Sequence, residues 1–360
     1  MKLIESNIKY IPQDYTFEGI YSQIEKAGRI CYASFPKYSS FNNDLEKMND
    51  FYSLSKEEFL KAYSKITEQE YDETNYFENL DRIKKGLCPS DNFNSTYITE
   101  AHKFVDTLIK SKHLSPLEHG TVYLKYETLM SNLDRDYIEL DRDYIEDTVF
   151  NTIVNPFVNN PYSKVNILGG YNSPIGLNIY TTTNLRVILE NKDIDLEDLK
   201  DFICLPTKYH EKRYSFEVIC SIGVSREWNR HRTLSISEQS TRYCNFSKDK
   251  FDNEVSFIRP YWISEIQSNM TLHYGDTIGE NQNEVMFKNS LLDSEIRYLT
   301  LINNNCKPQE AREVLPLCTA TKVFYTGFKS DWEHWLELRN SNAAHPDIRK
   351  FALYINKIIQ

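Results

Sequence analysis

Two stretches of this chain alternate apolar and polar residues, and they are set among longer runs of helical spacing. That mixture of periods constrains the fold more than any other feature. From His119 to Glu127, Val122, Leu124 and Tyr126 share one face; from Arg213 to Ser221, Tyr214, Phe216, Val218 and Cys220 do. A period of two predicts a strand in each. Helical spacing predicts helices over Thr16–Cys31 (Phe17, Ile20, Ile24, Ala27) and Ile98–Lys112 (Ala101, Phe104, Val105, Leu108, Ile109). Ser53–Ile66 opens S-L-S-K-E-E, a helix cap followed by early acids. A short helix over Val224–Arg232 follows the second strand. Asn281–Asn304 is the longest helical pattern, and Asp331–Arg339 and Asp347–Ile359 close the chain. Strands and helices in this order predict an α+β protein.

No Pro/Gly/Ser linker divides the sequence, so a single domain over 1–360 is expected, with an insertion at about 128–212. Within that insertion, Asn159–Ser173 is rich in Asn, Pro, Gly and Ser and is predicted to be loop. Thr181–Glu190 is predicted to be a capped helix start. Asp134–Asp147 writes a seven-residue unit twice, D-R-D-Y-I-E-L then D-R-D-Y-I-E-D, and reads as an acidic, solvated duplication.

Composition excludes several functions. Glycine numbers 11 in 360 residues, and neither G-x-G-x-x-G nor G-x-x-x-x-G-K-[ST] occurs, so phosphates are not held by a Rossmann or P-loop cradle. A net charge of -10 opposes broad nucleic-acid binding. The seven cysteines are scattered without C-x-x-C, which suits a reducing compartment and offers no zinc ribbon or other metal site. No apolar run long enough for a membrane span and no leader pattern is present. A cytoplasmic protein with no membrane partner is the expectation.

Against this acidic background the run from Ser225 to Tyr243 concentrates Arg226, Arg230, His231, Arg232 and Arg242, with only Glu227 and Glu238 opposing them. Guanidinium groups take phosphate as planar forks, so the cluster points to anionic ligands. The pattern R-H-R-x5-E-x-S-x-R-Y (Arg230 to Tyr243) resembles the signature of the flavin-dependent thymidylate synthases. Other elements follow in the family's order. Ser115-Pro116-Leu117-Glu118-His119 is similar to its S-P-x-E-H, and Cys31 to Phe35 to its early serine-containing segment. Ala311-Arg312-Glu313-Val314-Leu315-Pro316 is similar to A-R-x-x-L-P, and Leu336-Glu337-Leu338-Arg339 to L-x-L-R. Ala344 to Arg349 resembles the closing A-Q-x-E-I-R. The likeness covers about 15–35, 100–127 and 213–355. Asn178–Asn184 and Arg242–Phe251 look like segments of the family's long members.

The resemblance implies a mixed, largely antiparallel sheet flanked by helices. It implies reductive methylation of dUMP at C5 to dTMP, with methylenetetrahydrofolate as carbon donor, FAD as redox carrier and NADPH as reductant, in a homotetramer with active sites shared between subunits. Carried over residue by residue, Ser34, His119, Arg230, His231, Arg232, Glu238 and His334 fall at FAD positions. Glu227, Glu238, Gln239, Ser240, Arg242, Arg312 and Arg339 fall at dUMP positions. Arg339 is the cation that stabilises charge developing on uracil, and Ser240 stands beside the substrate. Ser240 reads as a binder, because no base held by an orienting partner marks it as a nucleophile. Glu238 reads two ways, orienting an arginine or contacting substrate.

Several positions depart from the family pattern. Phe328 and Ser330 stand where many members carry an N-x-R used for flavin, Glu227 where glutamine is common, and His345 where the closing motif has Gln. Lys329 or the insertion is expected to make up the flavin contacts. Trp332 and Trp335 are expected to be core, and Cys244 and Cys318 packed side chains. Two alternatives remain open: a related flavin-dependent pyrimidine-nucleotide hydroxymethylase or methylase, and a nucleic-acid-binding protein using the Arg226–Arg242 patch.

Overall fold

The structure is a computed structural model describing residues 1–34, 100–127, 147–169, 176–194, 196, 198–263, 270–271, 273 and 281–360. The predicted helix at Ser53–Ile66 and the duplication up to Glu146 lie outside the described residues. In chain order the strands are β1 (Lys2–Ile4), β2 (Asn7–Tyr10), β3 (Thr121–Glu127), β4 (Lys164–Gly169), β5 (Leu177–Asn184), β6 (Arg213–Ser221), β7 (Ser235–Glu238), β8 (Ser256–Ile258), β9 (Met270–Thr271) and β10 (Ala320–Phe328). The helices are α1 (Phe17–Tyr32), α2 (Glu100–Lys110), α3 (Leu185–Glu190), α4 (Ile222–Trp228), α5 (Gln282–Asn303), α6 (Pro308–Ala311), α7 (Lys329–Arg339) and α8 (Pro346–Ile359).

The class is α+β as expected, but the strands do not form one sheet. They form three, ordered β8-β1-β9, β2-β6-β10-β7 and β3-β5-β4. All pairings are antiparallel except β1 with β8. Three hydrophobic clusters correspond to them. The β3-β5-β4 sheet packs with α1, α2 and α3. The four-stranded sheet packs with α4, α7 and α8. The small sheet packs with α5.

Three predictions need correction. The 159–173 stretch holds strand β4, which completes a sheet on β5 despite its turn-forming composition. At 181–190, Thr181–Asn184 finish β5, and the helix begins only at Leu185. Asn184 is its cap, accepting from the Val187 amide at 3.1 Å. The helix after β6 stops at Trp228, so Arg230–Arg232 lie on the turn that follows it. Elsewhere the helical patterns hold. Thr16 caps α1 through a bond from the Gly19 amide, which is the side-chain acceptor role of such caps. Among the described residues no helix is long and apolar enough to cross a membrane.

Candidate functional site

Helix α4 brings the arginine cluster to the sheet. Ser221 caps its first turn by accepting from the Val224 amide. Trp228 ends it, stacked on Tyr325 with ring centroids 4.5 Å apart and planes 8° from parallel, and 4.5 Å from the Trp335 ring. Trp332 and Trp335 are fully buried in the same aromatic core, as expected. This anchors the helix C-terminus. The chain then turns through Arg230–Thr233 at the surface, and β7 pairs with β10.

Arg339, in the last turn of α7, meets this turn. Its Nε donates to His231 Nε2 at 3.1 Å and its Nη2 to the Glu227 carbonyl at 3.0 Å. Burial, then the charge of Arg339, pushes the His231 imidazole down to about 4. The ring is therefore neutral near pH 7 with Nε2 unprotonated, which is the acceptor that Arg339 requires. The exposed His334 lies 6.4 Å from the His231 ring and pairs with Glu337.

A second group follows β7. The Gln239 amide donates to the Lys322 carbonyl, and the Ser240 amide to the Cys31 carbonyl at the end of α1. The Ser240 carbonyl accepts from the Tyr243 and Cys244 amides, and its hydroxyl accepts from the Arg242 amide at 3.3 Å. Arg312 reaches this loop, donating through Nη1 to Thr241 Oγ1 at 3.0 Å. Arg242 projects outward with its guanidinium 5.5 Å from the Tyr243 ring. Ser34 follows α1 directly, its amide bonded to the Arg29 carbonyl.

The structure thus gathers Glu227, His231, Arg339 and His334 before β7, and Ser240, Arg242 and Arg312 after it. Glu238 lies between them. Its Oε1 accepts from Ser225 Oγ at 2.7 Å and Thr321 Oγ1 at 3.2 Å, and its Oε2 from Asn229 Nδ2 at 3.1 Å. Asn229 in turn accepts from the Tyr325 hydroxyl.

His119 stands apart, fully buried. Nδ1 bonds Thr326 Oγ1 at 2.8 Å and Nε2 bonds Ser237 Oγ at 3.1 Å. Burial and the charge of Arg213 push it down to about 3. Both nitrogens are engaged inside the protein, leaving the ring no polar atom for a ligand.

Arg226, Arg230, Arg232 and Arg242 are exposed and form no ion pair among the described residues. Four uncompensated guanidinium groups on an acidic chain fit anionic ligands such as flavin and nucleotide phosphates. The departures from the family pattern also have structural uses. Phe328 is buried with Arg213 and Lys164 over its ring at 5.4 and 5.6 Å. The Ser330 amide binds Glu211, and Lys329 pairs with Glu333. His345 caps α8 by accepting from the Asp347 amide. Cys244 is fully buried and Cys318 half-buried; burial raises both thiols, Cys318 to about 11. Asn229, Thr241, Ser225 and Thr321 were not singled out from sequence. Their only signal was adjacency to motif arginines or, for Thr321, none.

The fold is α+β, and around β7 it presents exposed arginines as a candidate anion site. Residues 210–360 match the family model described as thymidylate synthase complementing protein. The flavin-dependent thymidylate synthase of Aquifex aeolicus is 22% identical over 293 residues, 73% of this chain and 89% of that protein. The enzyme of the same name from Pseudothermotoga lettingae is 24% identical over 150 residues, 41% of this chain and 61% of that protein. That from Treponema pallidum is 31% identical over 149 residues, 40% and 47% of the two chains. Several relatives are therefore matched over only about half to two thirds of their length. Over residues 210–360 above all, the chain is similar to the flavin-dependent thymidylate synthases.

Proposed function

We propose that this protein methylates dUMP at C5 to give dTMP, taking the carbon from methylenetetrahydrofolate and reducing equivalents from NADPH. The observation that carries this reading is Arg339, a cation fixed between a neutral histidine and a backbone carbonyl beside unpaired Arg230 and Arg232. FAD, when bound, supplies the redox chemistry. Arg230 and Arg232 hold its phosphates, with His231, His334 and Ser34 nearby. Arg242 and Arg312 grip the dUMP phosphate, with Gln239, Ser240 and Glu227 lining the nucleotide.

The role of Arg339 follows from its geometry. Making C5 of uracil nucleophilic places negative charge on the ring, and a cation held in advance stabilises that charge without reorganising. His231 serves by staying unprotonated: as an imidazolium it would present N–H to N–H and release the guanidinium. Thr241 does for Arg312 what His231 does for Arg339, fixing one N–H direction before substrate arrives.

A homotetramer with shared sites is part of the same proposal. It is supported by the division of the arginines into two groups on either side of β7, with no direct hydrogen bond between the groups among the described residues. Sedimentation of purified protein tests the assembly. The purified protein should be yellow and should release tritium from [5-³H]dUMP when given methylenetetrahydrofolate and NADPH. A colourless protein that takes up no FAD, or a nucleotide product whose mass gain is not that of a methyl replacing hydrogen, overturns the assignment.

A further inference from the structure

We propose that Glu238 is a positioning residue, whose carboxylate sets the spacing between the turn carrying Arg230–His231 and the loop carrying Ser240–Arg242. The proposal rests on the functional reading above and deepens it. Glu238 belongs to β7, fixed through its backbone to Val323 of β10. Its two oxygens accept three hydrogen bonds, from Ser225, Thr321 and Asn229. Two of these donors belong to α4 or its C-cap, and the third to the central strand. The carboxylate therefore ties the residue before Arg230 to the residue two before Ser240 and to β10.

All three donors are neutral, and no cation pairs with Glu238 among the described residues. Three donors converging on one point need an acceptor-only group. An amide offers one oxygen and two N–H groups, and it would turn N–H toward a donor. Asn229 cannot freely reverse its amide to compensate, because its Oδ1 already accepts from Tyr325 at 2.9 Å. This is why an acceptor-only carboxylate suits the position.

The test compares Glu238→Gln, Ser225→Ala and their double variant with the unaltered protein. Flavin affinity is read by fluorescence, and dUMP affinity by titration of the flavin spectrum. Amide exchange of 229–234 and 239–244 is read without ligands. Glu238→Gln should weaken FAD and dUMP together, each about tenfold, the scale of one frustrated half-buried hydrogen bond. Exchange should rise in both segments and stay unchanged in β3 and β5. Ser225→Ala should show a smaller loss in the same two ligands, and the losses in the double variant should be less than additive, because both changes act on one hydrogen-bonded cluster. Loss of dUMP affinity with FAD affinity and exchange unchanged would overturn the proposal in favour of direct substrate contact. So would additive losses in the double variant. Amide exchange needs no ligand, so this outcome stays separable from failure of the unaltered protein to bind flavin.

Discussion

The molecule sets a histidine near an arginine twice and uses the two pairs in opposite ways. Beneath β7, His119 is buried with both nitrogens bonded. Arg213 is buried beside it, donating to the Glu118 carbonyl, Thr121 and Ser235. Among the described residues Arg213 has no carboxylate partner, its Nε lacks a hydrogen-bond partner, and burial lowers its guanidinium to about 10. In that seam both His119 nitrogens and both terminal nitrogens of Arg213 are bonded within the protein. At the edge, His231 and Arg339 are half-buried, each fixes the other, and Arg230 and Arg232 stand nearby with no ion pair among the described residues. Polar groups consumed by the fold make a scaffold; polar groups fixed on one side and open on the other make a site.

The sharpest break of this comparison is Arg339→Ala against Arg213→Ala. Removing Arg339 should cut turnover by about 10²–10³-fold, the scale of losing one preorganised charge stabiliser. Thermal unfolding should barely move. Removing Arg213 should destabilise the fold by about 2–4 kcal/mol, since it strips donors from the Glu118 carbonyl and Ser235 and leaves a cavity. Chemical denaturation measures that loss. If Arg339→Ala unfolds the protein and Arg213→Ala does not, the two roles have been assigned backwards. Arg230→Ala should resemble Arg339→Ala in sparing stability, within about 0.5 kcal/mol, while the purified protein loses flavin absorbance.

The seam should also control how stability depends on pH. His119 has a folded pKa of about 3 against an ordinary value of 6.5. A depressed histidine contributes stability that is present above 6.5 and is lost as pH falls, because the unfolded chain takes up the proton first. Across that window His119 should give a slope approaching ~1.4 kcal/mol per pH unit. Denaturant midpoints from pH 7 down to pH 4.5 should fall less steeply in His119→Asn than in the unaltered protein. His231 is shifted in the same direction, to about 4, but it is more exposed, so His231→Asn should change the slope less. Equal slopes in the unaltered protein and His119→Asn would show that the seam does not govern acid sensitivity.

The edge was far more legible in the sequence than the seam. Arg230, His231 and Arg242 stood out because a basic run is out of place in an acidic chain, and Arg312 and Arg339 because their segments resemble the family's A-R-x-x-L-P and L-x-L-R. Arg213 and His119 carry the same chemistry, but burial, which decides their use, is a property of three-dimensional packing. His119 could be placed in a motif but not inside the core. Among the elements, α1, β6 and α8 followed from period and caps. Strand β10 showed no alternation, because from Val323 to Phe328 every residue is buried and both faces are covered; such a strand loses its period of two. Strand β7 is four residues long, too short for a period to register. Strand β4 was hidden by a neighbourhood rich in Asn and Gly, with its pairing to β5 overriding local propensity.

Ser240 gives the smallest expected effect and the finest test of the edge. Its hydroxyl accepts from the Arg242 amide, while its amide and carbonyl tie the loop to α1 and to Cys244. No histidine or carboxylate contacts the hydroxyl among the described residues, so nothing is placed to remove its proton. Ser240→Ala keeps both backbone bonds and loses one weak, exposed contact. Turnover should therefore fall by less than about tenfold, on the scale of one ordinary hydrogen bond, with the larger change in KM for dUMP. A nucleophilic serine would behave otherwise, losing about 10⁴-fold or more in turnover, as enzymes of that kind do. Steady-state kinetics of this one variant separates a loop that binds from a loop that reacts.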